Sequence, residues 1–219
     1  MQKRKSHKKH WFLGGIIILS IVAGCAFYVN DYYRALPEAL AVVAEPAEGI
    51  IVAEEKNDRI VFEPEDAKAG LIFYPGGKVQ YEAYAPLMEA LITEEYPDIE
   101  KWYIGGHSLG GSMAASYAAK NTEELEGVIL LASYSTVALQ NSGLDVVSIY
   151  GSNDRVLNLE KHDKYCDNLP ENFKEEVIEG GNHAYFGKYG FQEGDGEATI
   201  TNENQIETTA DIVATEILE

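Results

Sequence analysis

Positions 11–29 form an unbroken run of nineteen residues without a charge. At about 1.5 Å per residue this run makes a helix of about 28 Å, close to the roughly 30 Å hydrocarbon core of a bilayer. Past Asp31 the pattern fragments. Positions 32–43 predict a short helix that Pro46 closes. Ile50-Ile51-Val52-Ala53 and Ile60-Val61-Phe62, joined by a polar turn through Asn57-Asp58, predict an antiparallel hairpin. Beyond Pro64, short apolar runs alternate with amphipathic stretches. Strands are predicted at 71–74, 102–104, 128–131, 146–150 and 173–178, and helices near 84–95, 109–120, 159–168 and 205–218. Continuous apolar strands alternating with helices imply an α/β fold, a mostly parallel central sheet covered by helices on both faces. The hairpin is expected to form its antiparallel edge. The boundaries are a basic tail (1–10), a transmembrane span (11–29), a linker with a juxtamembrane helix (30–49) and the α/β domain (50–219). No repeat, low-complexity tract or insertion large enough for a separate lid interrupts this domain.

Charge adds orientation to the span. Residues 3–10 read KRKSHKKH and hold five of the 17 basic residues, whereas all 36 acidic residues follow position 30. Basic flanks stay in the cytoplasm, so the body is expected outside the cell membrane, held by a single uncleaved helix. Trp11 and Phe12 before the span, and Tyr28, Tyr32 and Tyr33 after it, match the aromatic belts of the two interfaces. Val22-Ala23-Gly24-Cys25 also resembles a lipoprotein processing box, with Cys25 as the lipidated residue, but the apolar run continues past Cys25. Cleavage to a free form is the third alternative. A body with 12 basic and 36 acidic residues repels polyanions, which argues against nucleic acid as a partner. Two cysteines cannot build a disulfide framework, and Cys166 reads as a free structural thiol.

The densest chemical signal lies at 102–111, Trp-Tyr-Ile-Gly-Gly-His-Ser-Leu-Gly-Gly. A strand enters, a helix leaves, and Gly106-His107-Ser108-Leu109-Gly110 occupies the bend, which is the G-x-S-x-G elbow in its required context. The serine sits on a tight turn at a helix N-terminus, where backbone N–H groups favour developing negative charge. Ser108 is therefore the candidate nucleophile and the Leu109 N–H a candidate oxyanion donor. His107 points away from its neighbour on such a turn and reads as scaffold.

In this arrangement the acid and then the base follow the nucleophile along the chain. His183, after the last predicted strand in Glu179-Gly180-Gly181-Asn182-His183, is the candidate base. His162 lies in the charged run Leu159-Glu160-Lys161-His162-Asp163-Lys164 and reads as solvated. Asp154, on the loop Gly151-Ser152-Asn153-Asp154 leaving the preceding strand, is the candidate acid, orienting the imidazole and stabilising its cation. A second oxyanion donor is expected from Pro75-Gly76-Gly77-Lys78-Val79, where Gly77, Lys78 and Val79 are all eligible. The segment 186–197 is rich in glycine, aromatics and acid. Glu193, Asp195 and Glu197 are too few and too widely spaced for a calcium loop, so it reads as a connecting loop and no metal site is assigned.

Phe73-Tyr74-Pro75-Gly76-Gly77, the Ser108 elbow, Gly151-Ser152-Asn153-Asp154 and Gly180-Gly181-Asn182-His183 together resemble the α/β-hydrolase superfamily. More narrowly, they resemble its small, lidless, membrane-anchored bacterial members with a dienelactone-hydrolase-like core. The resemblance covers residues 50–218 and implies a sheet of eight strands or slightly fewer, no cofactor and an acyl-enzyme mechanism. Pro75-Gly76 stands where the wider superfamily has His-Gly, and a serine replaces the cysteine of true dienelactone hydrolases. The expected activity is cleavage of a small-molecule carboxylic ester. The alternatives are an amidase or peptidase of the same fold, or a catalytically silent membrane-anchored binding domain. A dinucleotide-binding protein is excluded, because no G-x-G-x-x-G follows the first strand.

Overall fold

The structure, a computed structural model, describes residues 4–55, 59–64, 69–93 and 101–218. The chain divides into two units, 1–32 and 33–219. In the first, helix α1 (Arg4–Asn30) runs unbroken, with its large apolar side chains from Trp11 to Val29 exposed. Within α1, Trp11–Asn30 is long and apolar enough to cross a membrane, and no other helix among the described residues is.

The second unit begins with an extended segment. Tyr33 bridges Val79 in parallel, and the Leu36 N–H donates to the Lys188 carbonyl at 2.9 Å. Helix α2 (Pro37–Ala44) follows, opened by a proline in the first turn, where its missing N–H costs nothing. It buries Ala39 completely. Strands β1 (Ile50–Glu55) and β2 (Arg59–Pro64) pair antiparallel, Ile50 with Pro64 through Glu55 with Arg59. The predicted turn at Asn57-Asp58 lies outside the described residues.

The hairpin is not the edge of the main sheet, as its pattern had suggested, but a two-stranded sheet of its own. A hairpin pattern records how two neighbouring strands pair; it holds no information about which distant edge, if any, the pair joins.

The main sheet has five parallel strands, ordered as in the sequence: β3 (Ala69–Tyr74), β4 (Lys101–His107), β5 (Gly127–Leu131), β6 (Asp145–Gly151) and β7 (Lys174–Ile178). Helices α3 (Ala85–Thr93), α4 (Leu109–Ala118), α5 (Leu159–Cys166) and α6 (Asn202–Val213) complete the body. Among the described residues the main sheet thus has five strands, against the eight or slightly fewer that the resemblance implied.

The core divides with the two-residue period of a strand. On one face Ile129 and Leu131 of β5, Val147 and Ile149 of β6, and Ile178 of β7 meet Leu87 of α3 with Ile206 and Val213 of α6. On the other, Val128, Leu130 and Val146 join Ile104 of β4 against Ala114, Ala115 and Ala118 of α4. The alanines keep α4 close to the sheet, which matters for the turn that precedes it.

Replacing fully buried Ile149 by alanine is expected to cost about 2–5 kcal/mol through lost burial and the cavity left behind. Val177→Ala on β7, where the side chain is 45% exposed, is expected to stay within about 0.5 kcal/mol. Urea unfolding of both variants beside the parent chain checks this ordering.

Candidate active site

Because the five strands are parallel, their C-terminal ends share one edge of the sheet. The loops leaving β3, β4, β6 and β7 carry Gly77, Ser108, Asp154 and His183 respectively.

Ser108 links β4 to α4 with φ 54° and ψ −120°, a left-handed conformation unfavourable for a residue with a side chain. Its surroundings hold it there. The Ser108 N–H donates to the Leu131 carbonyl at 2.8 Å, and the Ser133 hydroxyl donates to the Ser108 carbonyl at 2.6 Å. A Cβ on Gly106 would lie 2.5 Å from the carbonyl carbon of Gly110, and one on Gly110 would lie 2.2 Å from the Tyr74 carbonyl oxygen. Only glycine fits at either place. Ser108 is half-buried, and Leu109 beside it is 60% exposed.

Asp154 and His183 are brought together. His183 Nδ1 lies 2.8 Å from Asp154 Oδ2, with both side chains removed from solvent. Asp154 Oδ1 accepts the N–H groups of Val156 and Leu157, each at 2.8 Å, so three donors fix the carboxyl group. With its Nδ1–H given to Asp154, the neutral ring keeps Nε2 as an acceptor. That atom is buried and makes no hydrogen bond among the described residues. The structure does not place the Ser108 hydroxyl in hydrogen-bond contact with it. Such contacts often tighten only when substrate binds.

His107 is buried beside the pair. Its ring lies 4.5 Å from that of His183 and 5.7 Å from that of Phe186. The Tyr84 hydroxyl accepts the Gly76 N–H at 3.0 Å and lies within hydrogen-bond distance, 2.8 Å, of His107 Nδ1. Burial, and then the neighbouring His183, hold the His107 pKa well below the usual imidazole value. His107 is thus kept neutral by its surroundings. It adds no cation beside His183.

The loop after β3 is only partly available. Tyr84 takes the Gly76 N–H, and the Val79 N–H, one of the three candidate oxyanion donors, closes a turn onto the Gly76 carbonyl at 3.1 Å. Lys78 has a φ of 61°, and its carbonyl accepts the Tyr33 N–H at 2.7 Å. Gly77 faces Leu109 closely enough that a Cβ would lie 3.3 Å from Leu109 Cδ2.

Several supporting residues left no signal in the sequence. Asp195, weighed there only as a calcium ligand, uses Oδ1 to accept the N–H groups of Arg155 (3.3 Å), His183 (3.3 Å) and Gly196 (2.8 Å), and Oδ2 to accept that of Ala184 (2.9 Å). One side chain therefore ties the acid loop to the base loop. Fully buried Gln205 of α6 brackets Asn182, accepting its N–H at 2.9 Å and donating to its carbonyl at 2.8 Å. The loops also meet directly, since a Cβ on Gly151 would lie 2.3 Å from the carbonyl carbon of Gly181. No local pattern announces contacts spanning 11–40 residues.

His162 is not solvated, as its charged neighbours had suggested, but 1% exposed, bonded through Nε2 to the Ser148 hydroxyl at 3.1 Å. The helical period turns positions 162 and 166 toward the sheet while the intervening charges face water. Among the described residues, metal-ligand groups gather there rather than at the Asp154–His183 pair: His162, Cys166 and Glu175.

The sequence profile described as the alpha/beta hydrolase family matches residues 90–207. No curated protein matches the chain in sequence. Among solved structures, Est1E from Butyrivibrio proteoclasticus is similar, with a TM-score of 0.51, 12% identity and coverage of 78% of this chain and 100% of that one. Carboxyl esterase 2 from Tuber melanosporum has a TM-score of 0.54 at 9% identity, covering 85% of this chain and 91% of that one. At these identities the likeness is one of fold.

Asp195→Ala strips the acceptor from four backbone N–H groups. It is expected to destabilise the body by about 1.5–3 kcal/mol, the range for hydrogen bonds to a charged group. Equilibrium denaturation measures the loss.

Proposed function

The chain belongs to the alpha/beta hydrolase family, and from that membership we propose that it is a serine hydrolase cleaving small carboxylic esters through an acyl-enzyme on Ser108. The observation that carries the reading is the buried 2.8 Å bond between Asp154 and His183, which leaves His183 Nε2 unbonded at the same sheet edge as the Ser108 turn.

In the proposed cycle His183 Nε2 takes the Ser108 proton as Oγ attacks the ester carbonyl carbon. The carbonyl oxygen becomes an oxyanion, held by the Leu109 N–H at the start of α4 and, across from it, the Gly77 N–H. Collapse of this intermediate expels the alcohol, which leaves with the proton from His183. Water then repeats the sequence against the acyl group, and the acid departs with Ser108 restored. Asp154 holds the tautomer that makes Nε2 the acceptor and offsets the imidazolium charge at each transfer. No step requires a cofactor. An ester substrate is supported by one of the similar solved structures, which is named a carboxyl esterase.

We also propose that α1 anchors the enzyme as a single span, with the basic tail in the cytoplasm and the body outside. The exposed apolar surface of Trp11–Asn30 supports this, as does the concentration of positive charge before it.

A fluorophosphonate probe is expected to label the full-length chain and to leave Ser108→Ala unlabelled. Asp154→Asn should slow labelling by roughly 10³–10⁴-fold through the wrong tautomer. A folded parent chain that takes no label would overturn the hydrolase reading and leave a silent binding domain. Turnover of short acyl esters, set beside the matching anilides, separates ester from amide specificity.

In a bacterial host the full-length chain should remain in the membrane pellet after alkaline carbonate washing, and external protease should digest its body in spheroplasts. Release by the wash, or protection from protease, would contradict the anchor or its orientation respectively.

A further inference from the structure

On the face of the sheet covered by α5, far along the chain from Ser108, polar side chains converge. In the parallel register of β6 and β7, Ser148 stands opposite Glu175. Ser148 is buried, and its hydroxyl lies 3.1 Å from His162 Nε2 on α5. The Tyr150 ring packs edge-on against the imidazole at 5.0 Å. These two contacts fix the ring and turn its other nitrogen, Nδ1, toward Cys166 Sγ, 3.9 Å away and one helical turn on. Asp163 Oδ1 lies 3.5 Å from the same nitrogen. Glu175 closes the group. One ligand atom each from His162, Cys166 and Glu175 lies within 4.8 Å of the other two. The Tyr150 hydroxyl donates to Glu175 Oε1 at 3.0 Å, orienting the carboxylate from behind.

We propose that His162 Nδ1, Cys166 Sγ and the Glu175 carboxylate form a binding site for a divalent transition ion of the zinc class, with the exposed Asp163 as fourth ligand. The donor set is one imidazole nitrogen, one thiolate and carboxylate oxygen, which suits a borderline-soft ion and not calcium or magnesium. The spacing is close to what such an ion needs. Bond lengths of about 2.3 Å to sulfur and 2.05 Å to nitrogen at a tetrahedral angle put those atoms about 3.6 Å apart. Outer contacts of the kind that tune metal sites are already present, Ser148 on the imidazole and Tyr150 on the carboxylate.

The charge around the group is acidic: Glu175 belongs to it and Asp163 lies beside His162, while Lys164 of α5 lies over the Tyr165 ring and Lys174 of β7 pairs with Glu216 at 3.2 Å. A divalent ion would take the thiol as thiolate, with release of its proton. It would also fasten α5 to β7. Helix α5 starts at Leu159, two residues after the Leu157 N–H that holds Asp154, so the ion would steady the acid loop without touching substrate.

The test uses the full-length chain in mild detergent, with Cys25→Ser as background so that Cys166 is the sole thiol, stripped with chelator and titrated with cobalt(II). Saturation at one equivalent is expected, with a thiolate-to-cobalt charge-transfer band and the visible bands of a tetrahedral ion. Zinc(II) should displace the cobalt and raise the unfolding temperature. Cys166→Ser should lose the charge-transfer band. Glu175→Gln, at an exposed position that does not threaten folding, should weaken binding at least tenfold. Ser148→Ala should weaken it 10–100-fold, as loss of an outer-shell partner does. A folded parent chain that binds no cobalt overturns the proposal. Binding left unchanged by Cys166→Ser and Glu175→Gln also overturns it, because the ion is then held elsewhere in the chain.

Discussion

The carboxyl edge of the sheet is assembled from bare backbone packed on bare backbone. Gly110 lies against the carbonyls of Tyr74 and Pro75, Gly106 against Gly110, and Gly151 against Gly181. None of these contacts leaves room for a Cβ. They bring four loops together in two pairs, those after β3 and β4 and those after β6 and β7. They also hold Ser108 in a conformation that it would not adopt alone, at a cost on the order of 1–3 kcal/mol for the strained residue. The small residues of α4 serve the same end, since a bulkier helix could not lie close enough to the sheet for the turn to close.

Such close packing buries polar backbone, and each buried group needs a partner. The partners come from side chains distant in sequence. Asp195 collects four N–H groups, Gln205 satisfies both backbone polar groups of Asn182, and the Tyr84 hydroxyl serves the Gly76 amide and His107 together. Removing any one would leave a buried donor or acceptor unsatisfied. The Asp154–His183 pair therefore rests on side chains that make no hydrogen bond to Ser108.

How much of this was legible in the sequence follows from how local each feature is. The five strands and four helices of the α/β body were readable within a few residues, because apolar runs and their punctuation are local. The Ser108 elbow was readable because its glycines lie within two positions of the serine. Asp154 and His183 followed from strand order, and the structure pairs them. What depends on distant packing was not readable. The hairpin pattern could not say that β1 and β2 stay apart from the main sheet. His162 looked solvated because Glu160, Lys161, Asp163 and Lys164 surround it in sequence, yet Ser148, from β6, gives it a buried partner. The role of Asp195 is visible only once the loops carrying Arg155 and His183 are side by side.

Gln205 of α6 lies 23 residues beyond Asn182 in sequence, yet its side chain fixes the loop that carries His183. The position of that loop is therefore set in part by how α6 docks on the body. Any change that loosened the helix would be felt at His183, so that helix docking and loop geometry are one quantity rather than two.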